Sequence, residues 1–267
     1  MNLAVCLKQV PDTTELKLDP ETNTLRREGV ESVLNPLDEF PLEAALQLRE
    51  RYGGSVTAFS MGPPQAEQVL RKAVAMGANR AVLLSDKAFA GSDTWSTSLT
   101  LAKAMEKDGP FDIILCGKQA TDGDTAQVGP GIAAHLDIPQ ITGVLKIRAV
   151  SRPFVEVERQ FEYGTAVIKG ELPILLAVLK EANEPRLPSL AGRIRALRSE
   201  CETLDRESLH LDVAETGLAG SPTRVVRIAS PKAERAQKRL QGKAERVASE
   251  LFTIFTSRKM IPAERES

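Results

Sequence analysis

Three features of the sequence predict an α/β fold built on a mostly parallel sheet. Short apolar runs recur at residues 3–7, 56–60, 81–84 and 113–116, and segments with apolar residues at helical spacing separate them. Within each run the apolar residues are consecutive rather than alternate, as in strands covered on both faces. From Thr142 the pattern changes. Val155-Glu156-Val157-Glu158 alternates strictly, and Ala166-Val167-Ile168 and Leu175-Leu176-Ala177-Val178 add further strands, which predicts an antiparallel extension.

In chain order, the first strand ends at Lys8-Gln9-Val10-Pro11-Asp12. In a parallel sheet this tip joins the ligand crevice, and Lys8 then stands beside a phosphate or a flavin; otherwise it is a solvated surface lysine. Residues 13–32 are polar, with Asp19-Pro20 and Asn23 marking a turn between two short strands, a small hairpin lid. A helix start follows, with Asn35 as N-cap, Pro36 in the first helical position, and Asp38 and Glu39 in the first turn. Leu42, Ala45, Leu46 and Leu48 form its inward stripe until Gly53-Gly54. After the strand at 56–60, Met61-Gly62-Pro63-Pro64 is a stiff turn, and Gly62 either lets the backbone approach a ligand or simply turns the chain. Ala66, Val69, Leu70 and Ala73 face inward on the next helix. Residues 85–92 form a loop after the strand at 81–84, and Asp93-Thr94 caps a helix running through Glu106.

The stretch 111–135 organises the rest. Ile113-Ile114-Leu115-Cys116 reads as a buried strand and Gly117 ends it. Residues 118–127 are polar, with Gly123 between Asp122 and Asp124, and open into Val128, Ile132, Ala133 and Leu136 at helical spacing. Strand, glycine-bearing polar loop and helix in that order make a cradle for a nucleotide phosphate, because a helix start offers unpaired N–H groups to an anion. Asp122 and Asp124 read as turn formers or helix caps rather than a metal pair. Gly129-Pro130-Gly131 matches a dinucleotide fingerprint only formally, since the strand ends about ten residues too early. No Walker-type phosphate loop and no G-x-S-x-G elbow is present, so triphosphate and serine-hydrolase chemistry lack support.

With 267 residues the chain can bury a sizeable core. Its 35 Lys+Arg against 36 Asp+Glu give no global pull toward nucleic acid or an anionic membrane. Three widely spaced cysteines, Cys6, Cys116 and Cys201, suggest neither a disulfide framework nor zinc. No leader or long apolar segment precedes the first strand, so the expected location is the cytoplasm, without membrane insertion. Residues 224–246 carry eight basic and two acidic residues with no aromatic, which suits a solvated arm on a partner subunit better than a nucleic-acid surface. After Pro185 and Pro188, Leu187, Leu190 and Ile194 sit among Arg186, Arg193 and Arg195, a composition suited to a hydrophobic anchor with a charged rim. The alternative for Leu190 is a leucine that closes the core.

Ordered segments now resemble a known family, the beta subunits of electron-transfer flavoprotein. They are CLKQVPD at Cys6, VLNPLDEFPLEAAL at Val33, SMGPP at Ser60, AMGANRA at Ala75, CGKQATDGDTAQVGP at Cys116, NEPRLPSL at Asn183 and GSPT at Gly220. The resemblance spans nearly the whole chain. It implies an adenine nucleotide alpha-hydrolase-like fold and a heterodimer whose alpha subunit carries the electron-transferring FAD, while the beta subunit binds its own adenine nucleotide. It further implies an α/β domain at 1–182, a partner recognition loop and helix at 183–200 with Leu190 as the matching anchor for an acyl-CoA dehydrogenase, and a C-terminal arm at 201–267 on the alpha subunit.

Residues and resemblance together give as candidate cofactor contacts Cys6, Leu7 and Lys8; Asn35, Pro36, Leu37 and Asp38; and Met61, Gly62 and Pro63. The phosphate loop adds Gly117, Lys118, Gln119, Ala120, Thr121, Asp122, Gly123, Asp124, Thr125, Ala126, Gln127 and Val128. Simple family members hold AMP there, whereas bifurcating members hold a second FAD that accepts hydride from NADH. Ala126 and Val128 stand where the simple members carry asparagine and threonine, and residues 85–98 resemble the bifurcating pattern, which adds Asp93, Thr94 and Thr97 as FAD contacts; otherwise Asp93 only caps its helix. The leading expectation is an NADH-oxidising, bifurcating subunit with no catalytic side chain of its own and neither histidine, His135 or His210, in a catalytic role. An AMP-holding carrier and a non-redox nucleotide-binding regulator are the alternatives.

Overall fold

The computed structural model describes residues 1–12, 17–18, 25–26, 32–226 and 239–261. Its first strand, β1 (Asn2–Cys6), continues into β2 (Gln9–Pro11), which pairs antiparallel with β5 (Ser32–Leu34). Between them β3 (Lys17–Leu18) and β4 (Leu25–Arg26) pair as the expected hairpin, whose turn lies outside the described residues. Helix α1 (Glu39–Tyr52) follows a single 3-10 turn and stops at Gly53, whose N–H donates to Arg49 O. The alternation continues through β6 (Ser55–Met61), α2 (Glu67–Met76), β7 (Arg80–Leu84), α3 (Thr94–Asp108), β8 (Ile113–Gly117) and α4 (Val128–His135).

Period-two alternation decides which side chains meet which helices. Leu3 and Val5 of β1, with Ile113 and Leu115 of β8, pack with Leu42 and Leu46 of α1 and Leu70 of α2. Ala4, Phe59, Val82 and Ile114 point to the opposite face, into a second cluster with Leu101 and Met105 of α3 and Ile132 of α4. Most of these side chains are fully buried, and each one larger than alanine contributes about 1.5–3 kcal/mol relative to exposure.

β9 (Gln140–Ser151), β10 (Phe154–Phe161) and β11 (Gly164–Glu171) form the antiparallel extension, and β12 (Ile174–Val178) follows. The sheet order is β11-β10-β9-β12-β8-β1-β6-β7 and then β13 (Glu202–Leu204). Two expectations are corrected here. Leu175-Leu176-Ala177-Val178, read with the extension, lies in β12, which pairs parallel with both β8 and β9 and is buried at every position. The expected boundary at residue 200 also moves, because β13 pairs parallel with β7 and Leu204, Leu209 and Leu211 enter the second core cluster. Helix α5 (Leu190–Arg198) precedes β13, and the compact unit runs from Met1 to Val226.

From β1 the chain builds outward through β6 to β7, and α3 then returns it to β8 on the other side of β1. The direction of winding therefore reverses between β1 and β8, the topological position where open α/β sheets bind ligands. The second unit, Arg227–Ser267, contains α6 (Ala244–Ser257), which buries no residue within this chain. Residues 227–238, the middle of the expected basic arm, lie outside the described residues. No described helix is long and apolar enough to cross a membrane.

Candidate functional site

The loops that follow β1 and β8 meet across the reversal. Lys8 Nζ donates to both carboxylate oxygens of Asp122, at 2.6 and 2.8 Å, so Lys8 is neither a free surface lysine nor a bare cation. Asn35, fully buried, links the same loops: its Nδ2 donates to Gln119 O at 3.0 Å and its Oδ1 accepts the Thr121 N–H at 3.3 Å. The expected capping bond of Asn35 is absent, since its side chain is spent on the phosphate loop. Pro36 still occupies the first helical position, as its fixed φ favours.

Asp38 is the buried acid of this floor. Its Oδ2 accepts the Lys8 N–H at 2.8 Å, and a side chain at Gly117 would place its Cβ 2.5 Å from Asp38 Oδ1 and 2.7 Å from Leu37 O. Only glycine permits that approach. Burial pushes the Asp38 carboxyl up to about 7, against the Lys8 N–H, the Asn35 side chain and the Lys8 charge. Burial likewise raises Cys6, helped by Cys116 and Asp38, and raises Cys116 to about 12, which keeps both thiols protonated near neutrality.

Residues 121–127 are all exposed, and Asp124 and Ala126 hold left-handed φ values of 54° and 55°. Such conformations cost non-glycine residues of order 1 kcal/mol or more and persist where surroundings enforce them, typically at ligand clamps. Asp124 proves a turn former: its N–H donates to Ala120 O at 2.9 Å and its carboxylate accepts from the Gln119 side chain. Neither aspartate caps α4. Gln127 occupies its N-cap without a side-chain bond, which leaves the first-turn N–H groups for an anion. The donors therefore fit a nucleotide phosphate. Gly129 and Gly131 have a packing role instead, because a Cβ there would lie 2.5 Å from Cys116 Sγ and 2.5 Å from Ser98 Oγ. Among the described residues no acidic, histidine and cysteine cluster suits a metal.

The next strand ends continue the row. Leu7 N–H donates to Phe59 O and Gly62 N–H to Leu84 O, which sets Cys6–Lys8 and Met61–Pro63 side by side at the carboxyl edge. Beyond β7, Asp93 caps α3 through Trp95 N–H (3.0 Å) and Ser96 N–H (3.1 Å) on one oxygen. Its other oxygen accepts Thr223 N–H (2.9 Å) and Thr223 Oγ1–H (2.7 Å), and Asp93 N–H donates to Ser221 Oγ. Partial burial opposes ionisation, but the bonds from Thr223, Ser96 and Trp95 outweigh it and hold this carboxyl below its usual range. Thr94 and Thr97 stand half-buried on the first turn. Sequence reasoning missed the join of Ser221 and Thr223 to Asp93, a separation of about 130 residues that no local pattern reveals.

At the carboxyl end of β12 the chain leaves toward the expected recognition segment. Leu187 is 88% and Leu190 76% exposed, so Leu190 does not close the core. Of the arginines expected as a charged rim, Arg186 folds back onto Glu43 and Glu50, and Arg195 donates to Val74 O at 2.7 Å. A cavity of about 610 Å³ beside Leu187 is lined by Arg71, Lys72, Arg193 and Leu197.

A crevice of this kind, made from the carboxyl ends of parallel strands at a winding reversal, belongs to the ligand-binding doubly wound α/β proteins. Residues 22–208 match the family model described as electron transfer flavoprotein domain. The chain is 48% identical over 262 residues to the electron transfer flavoprotein subunit beta of Thermoanaerobacterium thermosaccharolyticum, covering 98% of this chain and 100% of that one. It is 46% identical over 280 residues to Protein FixA of Sinorhizobium fredii, covering 100% and 98%. It is also 48% identical over 235 residues to the caffeyl-CoA reductase-Etf complex subunit CarD of Acetobacterium woodii, covering 88% and 89%. The chain belongs to the electron transfer flavoprotein family, as a beta subunit.

Proposed function

We propose that this beta subunit works in a heterodimer with an electron transfer flavoprotein alpha subunit and holds FAD in its own crevice, where NADH delivers a hydride. The observation that carries this reading is the row of candidate residues along the ends of β8, β1, β6 and β7. Three interstrand steps of about 4.8 Å make a row of roughly 14 Å. An extended dinucleotide suits such a row, whereas a mononucleotide needs only the end between β1 and β8. A bound flavin accepts a hydride and releases single electrons. The chain's own groups bind and orient: the loop at 117–127 and the start of α4 hold phosphate, the Lys8 and Asn35 ties fix that loop, and Asp93 fixes the start of α3.

One observation favours the second reading, an electron carrier with AMP. Both oxygens of Asp93 are already occupied within the chain, which is all that a cap requires. Membership of an electron-transfer family stands against a non-redox regulator. A relative named for a caffeyl-CoA reductase complex supports an acyl-CoA dehydrogenase-type partner. Exposed Leu190 is its anchor, and the cytoplasm the location in keeping with three free cysteines. Anaerobic titration of the purified heterodimer with NADH tests the leading reading. Bleaching of flavin absorbance by NADH is expected; a heterodimer whose flavin NADH leaves oxidised contradicts it.

A further inference from the structure

Arg186 lies at the root of the exposed segment. Its Nε donates to Glu43 Oε2 at 2.8 Å and its Nη2 to Glu43 Oε1 at 2.9 Å, a two-pronged fork, while its own N–H reaches Glu43 Oε2 at 3.2 Å. The same guanidinium donates to both oxygens of Glu50, two helical turns further along α1. Glu43 is almost wholly buried, with a side chain 4% exposed, and also accepts from Gln47 Nε2. Burial opposes its ionisation, yet the Arg186 bonds outweigh that and lower its pKa, so the acid stays charged. Three residues earlier Asn183 Nδ2 donates to Phe40 O at 2.9 Å, a second tie to the same helix. Downstream, Ser189 Oγ caps α5 at the Gly192 N–H, and Arg71 donates to Ala196 O. Residues 184–190 are thus strung between α1 and α2, with Leu187 and Leu190 left outward.

We propose that Arg186 is a positioning residue for partner docking: its fork on Glu43 and Glu50 presets the segment that displays Leu187 and Leu190. This inference rests on the docking role given above to Leu190. A preset loop loses less conformational freedom when a partner binds, so the clamp acts on docking rather than on electron transfer itself. Helix α1 also begins one residue after Asp38, so a single rigid element registers the docking segment to the nucleotide loop. Lysine cannot reproduce the arrangement, because one ammonium does not span two carboxylates in a planar fork.

The test compares Arg186→Lys and Leu190→Ala in the purified heterodimer, with an acyl-CoA dehydrogenase to which the parent gives saturable electron transfer. Arg186→Lys is expected to speed amide exchange across residues 184–190 by about tenfold or more while α2 and α3 remain protected. The KM for the dehydrogenase is expected to rise roughly tenfold at unchanged kcat and nucleotide content. Faster exchange with an unchanged KM, or unchanged exchange, overturns the inference, provided Leu190→Ala itself raises the KM. An unchanged KM in Leu190→Ala instead removes the docking reading on which it rests.

Discussion

Lys8 Nζ and the Asp122 carboxylate meet at 2.6 Å across the line where the sheet reverses its winding. The two residues lie 114 positions apart, one after each strand that flanks the reversal. Both are partly exposed, so the pair contributes no more than about 1 kcal/mol to folding. Under the proposed function, its role is to hold a cation and a loop at the nucleotide site. Lys8→Ala is therefore expected to leave the melting temperature nearly unchanged and to lower the nucleotide retained through gel filtration. Full retention would show that the lysine serves only the surface.

Asn35 is the buried counterpart of that tie. Asn35→Ala removes the partners of Gln119 O and Thr121 N–H and is expected to cost about 1–3 kcal/mol. It should also loosen residues 117–127, since the tie is independent of helix capping. Amide exchange reads this directly: faster exchange at Thr121 is expected, and exchange confined to the start of α1 would restore the capping role.

Asp38 makes stability depend on pH in an unusual direction. Its folded pKa of about 7 stands above the ordinary 3.8, so between those values only the folded chain keeps the proton. Stability then falls as pH rises from about 4 to 7, by at most about 1.4 kcal/mol per unit, and the loss is complete above 7. Asp38→Asn keeps an acceptor for the Lys8 N–H and cannot ionise. Denaturation midpoints of the nucleotide-free chain, measured at pH 5 and pH 8, should therefore differ less in the variant than in the parent. An equal difference would place the titration elsewhere.

For Asp93 the two readings diverge on flavin content. Loss of the cap costs about 0.5–2 kcal/mol under either, and the Thr223 bonds add to it. If the start of α3 also holds the second FAD, Asp93→Ala should lower FAD per heterodimer while the alpha-subunit flavin stays. Unchanged flavin with a lower melting temperature would leave Asp93 as cap and tie alone.

Much of the parallel core was legible because each strand is a short apolar run followed by a turn signal. Residues 113–117 show why this worked: burial on both faces removes alternation, and Gly117 marks the end. β12 is as apolar as β8, but its position directly after alternating strands masks its parallel pairing in the sequence. β13 was missed because three residues, Glu202, Thr203 and Leu204, carry too little periodicity to read. At the site, residue types at loop tips were readable but their partners were not. Lys8 with Asp122, Asn35 with Gln119, Asp93 with Thr223 and Arg186 with Glu43 all join residues more than 80 positions apart, and only the fold brings them together.

Whether this subunit holds a flavin of its own is decided by the nucleotides released from the purified heterodimer. Denaturation followed by chromatographic quantification is expected to yield two FAD per heterodimer. One FAD with one AMP would contradict this reading and assign the crevice to a mononucleotide.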